Sequence, residues 1–176
     1  MKGSRETRHH PGMSDPIVPF TDLTWRACRF DELTLRELQY IYMARQQVFA
    51  IEQSCIYLDV DGYDECAWHV AAWTPQHRVP LAYARLIDPG LKYAEPSIGR
   101  VITTSAARGT GLGRELVSRT IALAERVFPQ AGIRISAQSR LETFYEEAGF
   151  RIVGERYMED GIPHTEMLRL PATTGR

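Results

Sequence analysis

The segment Arg100–Leu116, RVITTSAARGTGLGREL, joins a β-branched run to a helix-like pattern through Gly109, Gly111 and Gly113. No other stretch restricts the fold as tightly. Glycine loses more conformational freedom on ordering than any other residue, so this density implies an unusual turn or a close approach to bare main chain. Set after a strand and opening a helix, such a turn leaves free amides at the positive helix end, where an anion can bind. A dinucleotide fingerprint is excluded, because the sixth position is Arg114 counted from Gly109 and Leu116 counted from Gly111. A Walker loop is excluded because its lysine is missing. R-x-x-G-x-G over Arg108–Gly113 remains, as an anion loop or as a plain glycine connection.

The flanking pattern alternates between periods of two and of 3.6. Leu23–Phe30 reads as a strand, and Thr34 with Glu37 forms a capping box for a helix over Leu35–Gln53. WHVAAWT and PLAYARLI read as strands joined by a hairpin connection, and SIGRVITT as a fourth strand. Leu112–Val127 reads as a helix with Leu112, Leu116, Thr120, Leu123 and Val127 on one face, followed by a fifth strand, GIRISAQ. SRLETFYEEAG is a short helix ended by Gly149. FRIVGERYME and HTEMLRL close the pattern as two strands around the turn DGIP. This order describes a mixed α/β domain in which helices cover both faces of one sheet of six to seven strands.

With 176 residues, 44% hydrophobic and 24% charged, the chain has the makings of one domain, here 23–170, between a flexible leader (1–22) and a tail (171–176). A formal net charge of -1 argues against nucleic acid or an anionic membrane as the main partner. Cys28, Cys55 and Cys66 are odd in number and scattered, which suits reduced thiols and no zinc site. His9 and His10 are too short a run for a metal site. No apolar run approaches the roughly 20 residues of a membrane helix, and the N-terminus lacks the pattern of a signal peptide, so the expected compartment is the cytoplasm.

The R-x-x-G-x-G turn together with the later FYEEAGF resembles the GNAT superfamily of N-acetyltransferases over nearly all of Leu23–Leu170. RQQVFAIEQ, YLDVDGYD, YARL, IGRV and EDGIPHTEM are similar to its ElaA-type branch. The resemblance implies a mostly antiparallel twisted sheet, splayed between its fourth and fifth strands, that binds acetyl-coenzyme A. Main-chain groups of Val101 and Thr103 would pair with the pantetheine arm. Amides of Arg108, Gly109, Thr110, Gly111, Leu112, Gly113 and Arg114 would wrap the pyrophosphate. The amide near Ile102 would serve the thioester carbonyl, and Gln138 stands where relatives carry a cofactor-facing asparagine. Tyr145 would protonate the departing thiolate. The implied partner is a small-molecule or peptide amine.

Other residues leave alternatives open. Leu38, Ile41, Tyr42, Arg45, Val48, Phe49 and Glu52 share one helix face, so two charges lie on an apolar stripe. Arg45 and Glu52 therefore edge a cleft or pair with opposite charges, with Asp59, Asp61 and Asp64 available to Arg45. Arg85, within a strand, holds an acidic substrate group or one of those aspartates. Glu52, His69 and His164 are the candidate bases, with Glu155 on the strand adjoining His164. RQQVF, DVDGYD and ARL are also similar to acyl-homoserine-lactone synthases, and a non-catalytic acyl-coenzyme A sensor is a third reading. Exposed strand edges leave a homodimer open.

Overall fold

The computed structural model describes Phe20 and residues 22–171. Most of the expected leader and tail lies outside the described residues. The strands are β1 (Thr24–Arg29), β2 (Ala67–Trp73), β3 (Ala82–Ile87), β4 (Ser97–Thr103), β5 (Ile133–Gln138), β6 (Arg151–Ile152), β7 (Tyr157–Glu159) and β8 (Ile162–Arg169). They form one sheet in the order β1-β2-β3-β4-β5-β8-β6, with β7 also on β8, antiparallel except between β4 and β5.

Among the described residues, three α-helices cover the faces. Helix α1 (Leu35–Gln46) starts at the Thr34 cap, whose hydroxyl accepts from the Glu37 amide while the Glu37 carboxylate accepts from Thr34. It does not run on as an α-helix to Gln53; Gln47–Glu52 form a wider π turn, closed by the Gln53 amide on the Val48 carbonyl at 3.0 Å. Ile41, Ala44, Val48 and Phe49 pack on Ala71, Tyr83 and Ile102. On the opposite face, α2 (Leu112–Val127) buries Leu112, Leu116, Val117, Thr120, Ile121, Leu123 and Ala124 against Val70, Ala72, Ala82, Ala84 and Ile98. The alanines of β2 and β3 let both helices approach the sheet. Short α3 (Glu142–Glu147) follows β5 and ends before Gly149, at φ +91°.

Two irregularities shape the molecule. Register passes from Arg85↔Gly99 to Tyr83↔Ile102, so β4 carries one extra residue, and Arg100 there takes φ +53°. The bulge sends Ile98 to the α2 side and Ile102 to the α1 side, although plain alternation would place both on one face. Near the C-terminus, FRIVGERYME is two strands rather than the expected one. Four residues, 153–156, stand opposite only Thr165 and Glu166, and Arg156 leaves the sheet to pair with Glu142 at 2.8 Å. Asp160 (φ +49°) and Gly161 (φ +79°) then make the two-residue turn between β7 and β8.

Candidate active site

β4 and β5 share a single register pair, Ser97 with Arg134. Beyond it they diverge, and a cleft of about 420 Å³ opens between Ser97–Val101 and Ile135–Gln138. Main-chain groups on that side of β4 have no strand partner, an edge suited to an extended ligand added as a further strand. Gln138 reaches across the cleft, its Nε2 donating to Gln53 Oε1 at 3.2 Å.

The glycine turn lies just past the end of β4. Gly109 (φ +76°) and Gly111 (φ +84°) both adopt the left-handed region, and Gly111 caps the sixteen-residue α2. The amides of Arg108, Leu112 and Arg114 have acceptors within the turn, whereas those of Gly109, Thr110, Gly111 and Gly113 have none among the described residues. A Cβ added at Gly109 or Gly111 would meet no atom within 4 Å, whereas Gly113 faces Thr103 Cγ2 at 3.5 Å. The first two glycines thus serve the backbone, and the third serves packing of α2 on β4. Unpartnered amides at the positive end of a long helix, with open space in front, fit a diphosphate. Arg108 Nη2 donates to the Thr103 carbonyl at 3.2 Å and pairs with Glu52 on the π turn.

The acetyltransferase (GNAT) domain family matches residues 77–170. A Synechocystis protein of the UPF0039 group is 41% identical over 85% of this chain and 97% of its own length. ElaA of Escherichia coli is 36% identical over 84% of this chain and 96% of its own. Its crystal structure superposes with a TM-score of 0.78, at 34% identity over 84% of this chain and 99% of that one. An acyl-CoA N-acyltransferase from Pseudomonas aeruginosa has a TM-score of 0.80 at 41% identity, over 84% and 99%. The chain belongs to the GNAT family of acyltransferases.

In this GNAT chain Tyr145 stands on α3 with its ring edge-on to Phe144 and Phe150, and it lines the cleft. Its hydroxyl bonds to no described residue, and burial pushes the phenol above its usual range, so it keeps its proton at neutral pH. His164 lines the same cleft from β8. Its Nδ1 lies 2.9 Å from the Ile162 carbonyl, which can only accept, so Nδ1 carries the proton and Nε2 has the free lone pair in the neutral ring. The other candidate bases sit elsewhere. His69 is fully buried, with Nδ1 on Tyr83 Oη at 2.8 Å and Nε2 on the Asp64 carbonyl at 3.0 Å, and burial lowers its pKa. Glu52 is held by Arg108 and Glu155 is exposed on the excursion between β6 and β7.

Behind the β4 wall lies an ion network. Arg45, with no exposed surface, bonds Asp59 Oδ2 and Asp64 Oδ1 at 2.8 Å each and the Asp59 carbonyl at 2.7 Å. Arg85 grips both oxygens of Asp61, at 2.6 and 2.7 Å, and reaches Asp64 at 3.0 Å. Arg100, from the bulge, pairs with Asp59 at 2.7 Å and Asp61 at 3.0 Å. Burial disfavours the Asp61 carboxylate, but the Arg85 bonds win and hold its pKa down at about 2. Arg45 is therefore walled off from the cleft; Arg85 and Asp61 line it with most of their polar atoms already engaged.

Sequence reasoning missed Arg100 and Glu159. An arginine in a strand carries no sign that a bulge will turn it inward. Glu159 had a legible signal, its position directly before the Asp160-Gly161 turn, which sets it diagonally across the hairpin from His164.

Proposed function

We propose that the chain transfers an acetyl group from acetyl-coenzyme A to a primary amine of a small molecule or peptide by direct transfer. The observation that carries this reading is the loss of β4–β5 pairing beyond Ser97, which opens a main-chain edge of β4 onto a cleft that Tyr145 lines. Bound acetyl-coenzyme A supplies the thioester carbonyl to be attacked. The amides around Gly109–Gly113 hold its diphosphate, and Val101 and Thr103 offer main-chain groups to its arm. Ile102, expected to serve the oxyanion, pairs with Tyr83 and gives its amide to β3, so the developing oxyanion is stabilised instead by the Val101 amide at the β4 bulge. His164 Nε2 takes a proton from the acceptor ammonium, leaving a neutral nitrogen to form the new C–N bond. Tyr145 gives its proton to the departing sulfur and is reprotonated from the nitrogen as the amide forms, so that one proton is released in all. Glu52 and His69 are the weaker choices for the base, because each is bonded elsewhere.

The test is thiol release from acetyl-coenzyme A against a broad amine panel, with products read by mass spectrometry. Acetylation of a primary amine is the expected result. Coenzyme A binding in calorimetry without transfer to any amine would favour an acyl-coenzyme A sensor. A lactone formed on adding S-adenosylmethionine would favour the homoserine-lactone synthase chemistry.

A further inference from the structure

One donor of the ion network is left over. Arg85 is 1% exposed, and its Nε meets no acceptor among the described residues. Asp61 takes the Nη1–Nη2 end of the guanidinium and Asp64 the other proton of Nη1. The Nε–H and the second Nη2 proton therefore remain as a side edge with two parallel free donors, the fork that a carboxylate fills. A buried donor without a partner is rare, because it has given up water and gained nothing in exchange.

Arg85 stands at the bottom of the cleft wall. Its register partner on β4 is Gly99, and residues paired in this way point to one face of the sheet. A Cβ added at Gly99 would meet no atom within 4 Å, so the position beside Arg85 is open. Within the network the three guanidiniums of Arg45, Arg85 and Arg100 face the three carboxylates of Asp59, Asp61 and Asp64, which leaves no surplus charge. Lys92 lines the cleft from the β3–β4 connection, over the ring of Tyr93, and has no carboxylate partner among the described residues. On the other side of the β4–β5 gap the balance is reversed. Glu159 and Asp160 line the cleft with no guanidinium partner among the described residues, and Glu159 Oε2 lies 3.8 Å from His164 Nε2.

We infer that the acceptor carries a carboxylate as well as its amine, and that the Nε–Nη2 edge of Arg85 binds that carboxylate while Lys92 supplies the compensating charge. The ammonium then lies toward Glu159, Asp160 and His164, with its charge matched before His164 removes the proton. This substrate class, an aminocarboxylate, rests on the acetyl-transfer reading. The Arg85 subsite can be tested without it.

The probes are N-acetylamino acids, each beside its C-terminal amide, added to the unliganded protein. The Arg85 Nε–H resonance, assigned by its loss in Arg85→Lys, is expected to shift with the acids and stay in place with the amides. In thiol release, amino acids and dipeptides are expected to exceed their amides in kcat/KM. Arg85→Lys keeps the charge but lacks the fork, and it should lower that acid-to-amide ratio about ten- to a hundredfold. Lys92→Gln should lower it about two- to fivefold. Should Arg85→Lys fail to fold, Gly99→Val carries the test: its added Cβ meets no protein atom within 4 Å, and it should abolish both the shift and the preference. A resonance that ignores the acids, or moves equally with acid and amide, overturns the subsite even where acetyl transfer proceeds. A shift specific to the acids without transfer to any amine upholds the subsite and removes the acetyl-transfer reading.

Discussion

Tyr145 has its one polar atom at the cleft and its ring in an apolar socket, so removing the hydroxyl separates chemistry from packing. Tyr145→Phe is expected to lower kcat by about 10²-fold with coenzyme A affinity nearly unchanged, measured by steady-state kinetics beside calorimetry. The glycines make the complementary case. At Gly111 an added Cβ would meet no protein atom within 4 Å, so the local cost to the fold is the left-handed φ, about 1–2 kcal/mol. Gly111→Val should therefore remain folded yet show no heat of coenzyme A binding, because its side chain occupies the space before the free amides. Gly113→Ala, which points at Thr103 in ordinary contact, should keep binding.

At the scale of elements, the loop bearing Asp59, Asp61 and Asp64 ties α1, β3 and the β4 bulge together through three arginines. Left-handed backbone at a residue with a Cβ survives only where its surroundings over-determine it, and the two ion pairs of Arg100 supply that restraint. Breaking a buried network from one side strands a charge. Arg45→Ala should cost about 3–5 kcal/mol in urea unfolding. Asp61 adds a pH signature: its folded pKa is depressed, so its contribution is full above the unfolded value near 3.8 and is lost as pH falls through the folded value of about 2. Wild-type stability should drop by about 2 kcal/mol from this group between about pH 5 and pH 2, and Asp61→Asn should lack that part of the slope.

At the scale of the whole molecule, an open sheet with a gap between β4 and β5 is held by β8 on one side and by β3 on the other. A ligand that supplies the missing strand stabilises both halves at once. Coenzyme A at about a hundredfold excess over its Kd should add about 2.7 kcal/mol, raising Tm by about 5–10 °C in a thermal melt, and Gly111→Val should show no such rise.

The sequence by itself determined what depends on near neighbours along the chain. The bounds of α2, the Thr34–Glu37 cap, the Gly149 stop and the positive-φ turn at Gly109 and Gly111 all follow from interactions within a few residues, which leave a local pattern. It also offered Arg45 three aspartates as possible partners beside a place at the cleft edge, and Asp59 and Asp64 bond it. Only the tertiary structure decided that Arg100 sits in a bulge, that the third aspartate goes to Arg85 and Arg100, and that Glu159 rather than Glu155 faces His164. Those choices depend on strand register and on burial shared between distant segments. A charge carries no mark of which opposite charge it will meet until the sheet has aligned them.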